Sequence, residues 1–197
     1  KRRFEHYGCI KGVDLYDDYA HHPHEIASLI KTAREKFGGR KLRIVFHPHT
    51  YSRTKALFEG FVESLKLADE TILIPIFASA REKVDLTINS SMLAQSIRQK
   101  GGEAKYFSDW EKMVEYLANS AKTGDVIITV GAGDVYKVIS KLKCRISGSC
   151  RPAASSDNPH PHCSDRSDCG RSMRHSAGRH PLIKLLGEGR VLIDESM

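Results

Sequence analysis

The sequence of 197 residues predicts an α/β fold, in which a mostly parallel sheet carries helices on both faces. Three observations support this prediction. Short apolar runs of strand length alternate with segments whose apolar residues recur at helical spacing. The runs are apolar throughout rather than alternating, which is typical of strands that are buried on both faces. Glycine pairs end two of the helical segments.

The first strand–helix units are predicted between residues 13 and 65. Val13–Tyr16 is a strand, and a helix begins at Pro23, because proline is favoured in the first helical turn, and ends before Gly38. Leu42–Phe46 is the second strand. One helix follows it, with these apolar residues on one face: Leu57, Phe58, Phe61, Val62 and Leu65.

The pattern continues with Thr71–Phe77, a buried strand whose last residues Pro75 should place outside the hydrogen-bond ladder. The apolar residues of the next helix are Met92, Leu93 and Ile97. A brief strand, Ala104–Phe107, comes after it.

Asp109 is expected to cap the following helix, since its side chain can accept a hydrogen bond from the first free amides. Val126–Val130 is the last buried strand. The apolar face of the last helix is formed by Val135, Val138, Ile139 and Leu142. The opening segment Arg2–Tyr7 could add a strand before the first unit.

Composition divides the chain at about residue 143. All fifteen aromatic residues lie between Phe4 and Tyr136, and residues 144–197 are rich in Ser, Arg, His, Pro and Gly. Such a composition buries too little apolar surface to offset the entropy of ordering the chain. We therefore predict one domain over residues 1–143 and a low-complexity tail over residues 144–197, either disordered or non-native, for example vector-derived sequence.

Charge and cysteine usage indicate a cytoplasmic protein without a nucleic-acid or membrane partner. The formal net charge is +7, but Lys and Arg are interleaved with Asp and Glu, which is typical of a solvated surface rather than a nucleic-acid interface. No apolar run approaches the roughly 18 residues of a membrane span. Cys9 is alone in the first 143 residues, which fits a reducing compartment. We expect no metal site in the tail, because its Cys and His spacing matches no standard zinc pattern.

Polar motifs follow the predicted strands. DDYAHHP comes after the first strand, HPHTYSRT after the second, ASAREK after the third and GAGD after the last. Ligands of open α/β sheets bind beyond the carboxyl ends of the strands. The four motifs therefore predict one binding site at this edge of the sheet.

The first motif offers both ligand-binding and loop-shaping side chains. Tyr19 and His21 can donate hydrogen bonds to a ligand, and His21 can carry a positive charge near neutral pH. Asp17 and Asp18 could hold a metal, a ribose hydroxyl or the amides of their own loop. Alternatively, Asp17 and His22 shape the turn and cap the next helix.

The second motif suits an anionic ligand. Arg53 offers a planar fork for a carboxylate or phosphate, and His49 and Tyr51 could supplement it. Arg53 also lies at a helix start, where a bound anion is stabilised. The alternative is an exposed arginine without a ligand.

The five histidines of the two motifs raise the possibility of a metal-dependent hydrolase. However, HHPHE differs from the helical H-E-x-x-H arrangement, and a proline interrupts each histidine cluster.

The GAGD motif at residues 131–134 has the glycines of a strand-to-helix turn without the full dinucleotide fingerprint.

Together, RRFEHYG (2–8), DDYAHHPHEI (17–26), FHPHTYSRT (46–54), ASAREK (78–83) and GDVIITVGAGD (124–134) resemble the C-terminal domain of the Mur ligase family. The resemblance covers about residues 1–143 and implies a Rossmann-like domain. Tyr19 followed by Glu25 is similar to the alanine-adding members, because the related peptide-recycling ligases typically have phenylalanine in place of Tyr19.

The resemblance implies a bacterial enzyme of three domains that joins L-alanine to UDP-N-acetylmuramate in peptidoglycan synthesis, through an acyl phosphate. ATP and Mg²⁺ would be held mainly by a central domain, over which this domain closes. By resemblance, the substrate-binding residues are Tyr19, His21, His49 and Arg53. Asp17, Asp18 and His22 would face the nucleotide or shape the loop.

Two features depart from the family pattern. His47 replaces the usual glutamine, and His24 replaces a common threonine. In addition, no G-x-x-x-x-G-K-[ST] phosphate loop occurs in the 197 residues. We therefore expect a fragment without the ATP and UDP-sugar domains that is inactive by itself. A free-standing nucleotide- or anion-binding module without catalysis is the alternative.

Overall fold

Six strands form one sheet in the computed structural model, which describes residues 2–79 and 82–148. The strand order is β1-β2-β6-β3-β4-β5. Strand β1 is antiparallel to β2, and every other neighbouring pair is parallel. The strands are β1 (Glu5–Ile10), β2 (Val13–Asp18), β3 (Leu42–Phe46), β4 (Glu70–Leu73), β5 (Ala104–Tyr106) and β6 (Val126–Val130). The predicted mostly parallel sheet is confirmed.

Helices cover both faces of this sheet. They are α1 (Pro23–Phe37), α2 (Tyr51–Ala56), α3 (Phe58–Leu65), α4 (Ser90–Gln99), α5 (Trp110–Ser120) and α6 (Val138–Ser147), the last preceded by a 3₁₀ turn at Asp134–Lys137. Successive strand side chains point to opposite faces. Accordingly, Ile44 and Phe46 pack with α1, α3 and α4, whereas Val45 packs with α5 and α6.

Strands β3 and β6 have the predicted bounds, but β4 is shorter than predicted. It ends at Leu73 rather than Phe77. Pro75 has no amide hydrogen to donate to a ladder, so the chain leaves the sheet there. Phe77 returns only as an isolated bridge with His49.

The single helix predicted before β4 is in fact two. The chain breaks at Leu57, whose dihedral angles are φ −111° and ψ 19°, between α2 and α3. The break lets α3 pack closely on the start of α1, where a Cβ atom added to Gly60 would lie 3.0 Å from the Pro23 ring. Helix α2 remains with the loop that follows β3.

Helix α6 extends past the position at which the composition changes. It runs to Ser147, and Ile146 is buried in the core. The rest of the predicted tail, including its cysteine and histidine cluster, lies outside the described residues. Within residues 2–79 and 82–148, no helix has the length and apolar character needed to cross a membrane.

A buried ion pair ties β3 to β4 at the end of the sheet away from the polar motifs. The Arg43 Nε atom lies 2.8 Å from a carboxylate oxygen of Glu70, and both side chains are fully buried. The Tyr116 hydroxyl on α5 donates to the same carboxylate. This network fixes α5 against the sheet.

Candidate functional site

The parallel topology brings the polar motifs together. Strands β2, β6, β3 and β4 end at one edge of the sheet, which we name the carboxyl edge. The predicted site residues lie at the end of β2, in the loops that leave this edge, or in the first turn of α2.

Tyr19 and His21 lie together on the first loop. Tyr19 is 39% exposed, and the centroid of its ring is 5.4 Å from that of the His21 ring. The His21 Nδ1 atom is 3.1 Å from the Tyr19 carbonyl oxygen and 3.6 Å from a Glu25 oxygen. The loop therefore presents a phenol and an imidazole side by side.

Asp17 and Asp18 shape this loop. The Asp17 carboxylate is fully buried and accepts hydrogen bonds from the Thr129 hydroxyl at 2.6 Å and from Arg2 Nε at 2.8 Å. The Asp18 carboxylate accepts from the backbone amides of Phe4 and Ala20, both at 2.7 Å. All four oxygens thus have partners within the chain, which favours the loop-shaping role over metal or ribose binding.

His22 forms the start of α1. It is the N-cap residue, and its backbone amide and that of His21 donate to the Glu25 carboxylate at 3.2 Å and 3.0 Å. These bonds lower the pKa of Glu25, the bond from His21 having the largest effect. The His22 ring stacks on His24. His22 thus occupies the N-cap position, and the carboxylate that caps its amide is that of Glu25.

His49 and Arg53 on the second loop lie close to the first loop. Burial lowers the pKa of His49, and the positive charges of Arg53 and His21 lower it further. His49 is thus near both residues and is largely neutral at pH 7. The Arg53 guanidinium makes no hydrogen bond or ion pair with any residue of the described ranges. The four predicted substrate residues therefore lie along one edge, with a cationic fork available for a ligand.

The N-terminus of α2, where we expected a bound anion, is capped by the chain itself. The Glu82 carboxylate accepts hydrogen bonds from the backbone amides of Tyr51 at 2.8 Å and Ser52 at 2.7 Å. Hydrogen bonds from Ser52 are the main reason that the pKa of Glu82 is lowered. Glu82 was not among the predicted site residues, although the ASAREK motif that contains it was.

His47 lies under the GAGD turn. It is only 5% exposed, its Nδ1 atom has no hydrogen-bond partner among the described residues, and burial is the main cause that lowers its pKa to about 4. A Cβ atom at Gly131, where φ is +148°, would lie 2.8 Å from the His47 carbonyl oxygen. The glycines of this turn are therefore needed for a close approach to the second loop.

Arg2 is a residue of the carboxyl edge that the sequence did not single out. Besides Asp17, its guanidinium contacts the Gly131 carbonyl oxygen at 2.8 Å and lies over the rings of Tyr19 and Tyr136, at 5.2 Å and 4.6 Å from their centroids. Its place in the RRFEHYG motif was the available signal. The side chain links the first loop to the GAGD turn.

The described part of the chain contains no metal-ion site made of three or more His, Cys, Asp or Glu residues. The carboxyl edge thus offers donors for an anionic ligand, namely the Arg53 guanidinium, the Tyr19 hydroxyl and the two imidazoles.

Comparison with known proteins identifies the family of this chain. The family described as "Mur ligase, glutamate ligase domain" matches residues 2–133. The UDP-N-acetylmuramate–L-alanine ligase of Desulfitobacterium hafniense is 49% identical over 144 residues, which are 73% of this chain and 32% of that protein. The enzyme of the same description from Caldicellulosiruptor saccharolyticus is 46% identical over 72% of this chain and 30% of its own length.

Solved structures show the same fold. The UDP-N-acetylmuramate–alanine ligase of Thermotoga maritima superposes with a TM-score of 0.62 at 27% identity, over 76% of this chain and 30% of that one. A murein peptide ligase of Psychrobacter arcticus has a TM-score of 0.58 at 21% identity, over 75% of this chain and 30% of that one, which shows the fold alone. The chain thus spans about a third of the length of these relatives. It belongs to the family of Mur ligase glutamate ligase domains.

Proposed function

We propose that this chain supplies one domain of an ATP-dependent ligase that joins L-alanine to UDP-N-acetylmuramate in bacterial peptidoglycan synthesis. The observation that carries the proposal is the grouping of Tyr19, His21, His49 and Arg53 at the carboxyl edge of a Mur ligase domain. The names of the most similar relatives support the alanine-adding reaction. We further propose a cytoplasmic location, with no nucleic-acid or membrane partner.

In this proposal, the carboxyl edge closes over the substrates and orients them. The reaction makes an acyl phosphate from the sugar carboxylate and the γ-phosphate of ATP; the alanine amine then attacks the acyl carbon, and phosphate leaves. Arg53 is the residue suited to the anionic groups, since its guanidinium is uncommitted and can bind two oxygens at once. Donors that are already in position stabilise the charge that develops during such transfers.

His49 and His21 have different parts in this arrangement. The lowered pKa of His49 keeps its ring neutral at pH 7, so that it can donate or accept a hydrogen bond without adding charge. His21 lies beside the exposed Tyr19 and can contact a ligand from the first loop. ATP and Mg²⁺ supply the phosphoryl group and its charge neutralisation, and we assign their binding to another domain.

A chimeric enzyme tests the proposal. Residues 2–148 of this chain would replace the matching segment of the Desulfitobacterium hafniense ligase, and phosphate release would be measured with ATP, UDP-N-acetylmuramate and L-alanine. We expect turnover that requires all three substrates. The same ligase with the segment deleted is the negative control. A chimera that folds, as judged by circular dichroism, and yet releases no phosphate would argue against the proposal.

The 197-residue chain by itself is proposed to be inactive, because its sequence holds no phosphate loop to bind ATP. Isothermal titration calorimetry with ATP and with UDP-N-acetylmuramate separates this proposal from a free-standing binding module. Negligible binding by the isolated chain is expected of a ligase domain. Micromolar binding of either ligand would instead favour the module.

A further inference from the structure

We propose that Phe77 is a positioning residue of the carboxyl edge, which holds the His49 imidazole in place beside Arg53. The proposal rests on the proposed function, because His49 contacts substrate only if the chain is part of the ligase. It concerns a residue that the polar motifs did not predict to be part of the site. Three features of the described residues support it.

The first feature is the backbone of Phe77, which brackets His49. The Phe77 amide donates to the Pro48 carbonyl oxygen, and the Phe77 carbonyl oxygen accepts from the Thr50 amide, both at 2.8 Å. These two bonds flank His49 on either side and form the isolated bridge between the loops after β3 and β4. The position of His49 is thus tied to the third loop.

The second feature is strain at the neighbouring residue. Thr50 has φ +70° and ψ 141°, a conformation that is unusual for a β-branched residue. Such a conformation persists only where the surroundings impose it, and strained residues of this kind concentrate at functional sites. The bond from the Thr50 amide to Phe77 is one of the contacts that impose it here.

The third feature is the Phe77 ring. It stacks on His49, with a centroid distance of 5.1 Å and an interplanar angle of 21°, and it contacts His47 edge-on at 5.7 Å. Phe77 as a whole residue is nevertheless 40% exposed. The His49 Nδ1 atom has no hydrogen-bond partner among the described residues, so ring stacking is the contact that orients this imidazole.

The Phe77→Ala variant tests the proposal in the 197-residue chain. Nuclear magnetic resonance titration of the histidine rings would follow His49, assigned by the loss of its signal in a His49→Asn variant. We expect the pKa of His49 to rise towards its ordinary value, because burial is the main cause that lowers it. Phe77→Tyr keeps the ring and should leave the titration of His49 unchanged. Leu86→Ala, on the same loop and 89% exposed, is the matched control.

The same variants in the chimera give the kinetic test. Phe77→Ala should lower kcat about tenfold, as expected when a contacting group loses its fixed orientation, and Phe77→Tyr should restore it. Phe77→Leu retains apolar bulk without an aromatic face and should also lower kcat. It serves as the test if Phe77→Ala unfolds. An unchanged His49 titration in Phe77→Ala would overturn the proposal, as would full kcat in Phe77→Leu. An inactive wild-type chimera would count against the proposed function alone. A shifted His49 titration in Phe77→Ala would still support the positioning role of Phe77.

Discussion

The buried imidazole of His47 should make the stability of this domain depend on pH in a predictable way. Its pKa is lowered from 6.5 to about 4, chiefly by burial, and protonation of the nearby His49 acts in the same direction. The unfolded chain therefore binds a proton at His47 between these two values, whereas the folded chain does not. Stability is fully present above pH 6.5 and is lost as the pH falls towards 4.

The size of the effect follows from the shift. Each unit of pKa difference corresponds to about 1.4 kcal/mol, so that His47 alone should lower the free energy of unfolding by about 2 kcal/mol from pH 7 to pH 5. By pH 4 the loss should reach about 3 kcal/mol. This is a large part of the ~5–15 kcal/mol that is typical of a whole domain.

The assay is urea unfolding at a series of pH values, for the wild type and for His47→Gln. The ring of Trp110, the single tryptophan of the chain, lies 5.2 Å from the His47 ring, and its fluorescence reports on the surroundings of this histidine. We expect the free energy of unfolding of the wild type, relative to that of His47→Gln, to fall by about 2 kcal/mol as the pH falls from 7 to 5. The exposed His24, changed to glutamine, should follow the wild type. Parallel pH profiles of wild type and His47→Gln would contradict the assignment of this pH dependence to His47.

Three further substitutions have expected outcomes. Gly131→Ala should lower the free energy of unfolding, measured by chemical denaturation, by about 2–4 kcal/mol, because the added Cβ atom would lie 2.8 Å from a backbone oxygen and φ is positive. Gly38→Ala, also at positive φ but with no atom within 4 Å of the added Cβ, should lower it by about 1 kcal/mol. Equal losses in the two variants would contradict this prediction. Glu70→Gln should lower the free energy of unfolding by about 3 kcal/mol, since it leaves the buried Arg43 without its closest carboxylate. A loss under about 1 kcal/mol would contradict this prediction. Glu82→Gln should speed hydrogen exchange at the two α2 amides that it caps; unchanged exchange would count against the cap.

The sequence predicted best those elements that local pattern determines. Strands β3 and β6 are apolar runs between polar segments, and their bounds agree with the structure. Helix α1 likewise begins at its proline and ends before its glycine pair. The break at Leu57 could not be predicted in this way, since the helical spacing of apolar residues continues through it. It depends on how closely α3 approaches Pro23 in space.

At the site, the sequence indicated the loops but not every contact within them. Tyr19, His21, His49 and Arg53 lie at one edge because parallel strands end together, a consequence of topology that the motifs allowed us to expect. The Glu82 cap, in contrast, joins loops 30 residues apart, and Arg2 reaches Gly131 across 129 residues. Such pairings require the three-dimensional arrangement and have no local pattern.

The most direct test of the account is the effect of Arg53→Ala on kcat/KM of the chimera. We expect a loss of about 100-fold or more, as found when a preorganised charge-stabilising donor is removed. Lys112→Ala, an exposed helix residue distant in sequence from the motifs, should leave kcat/KM unchanged. If Arg53→Ala were as active as Lys112→Ala, the carboxyl edge would not be the surface that binds the substrates.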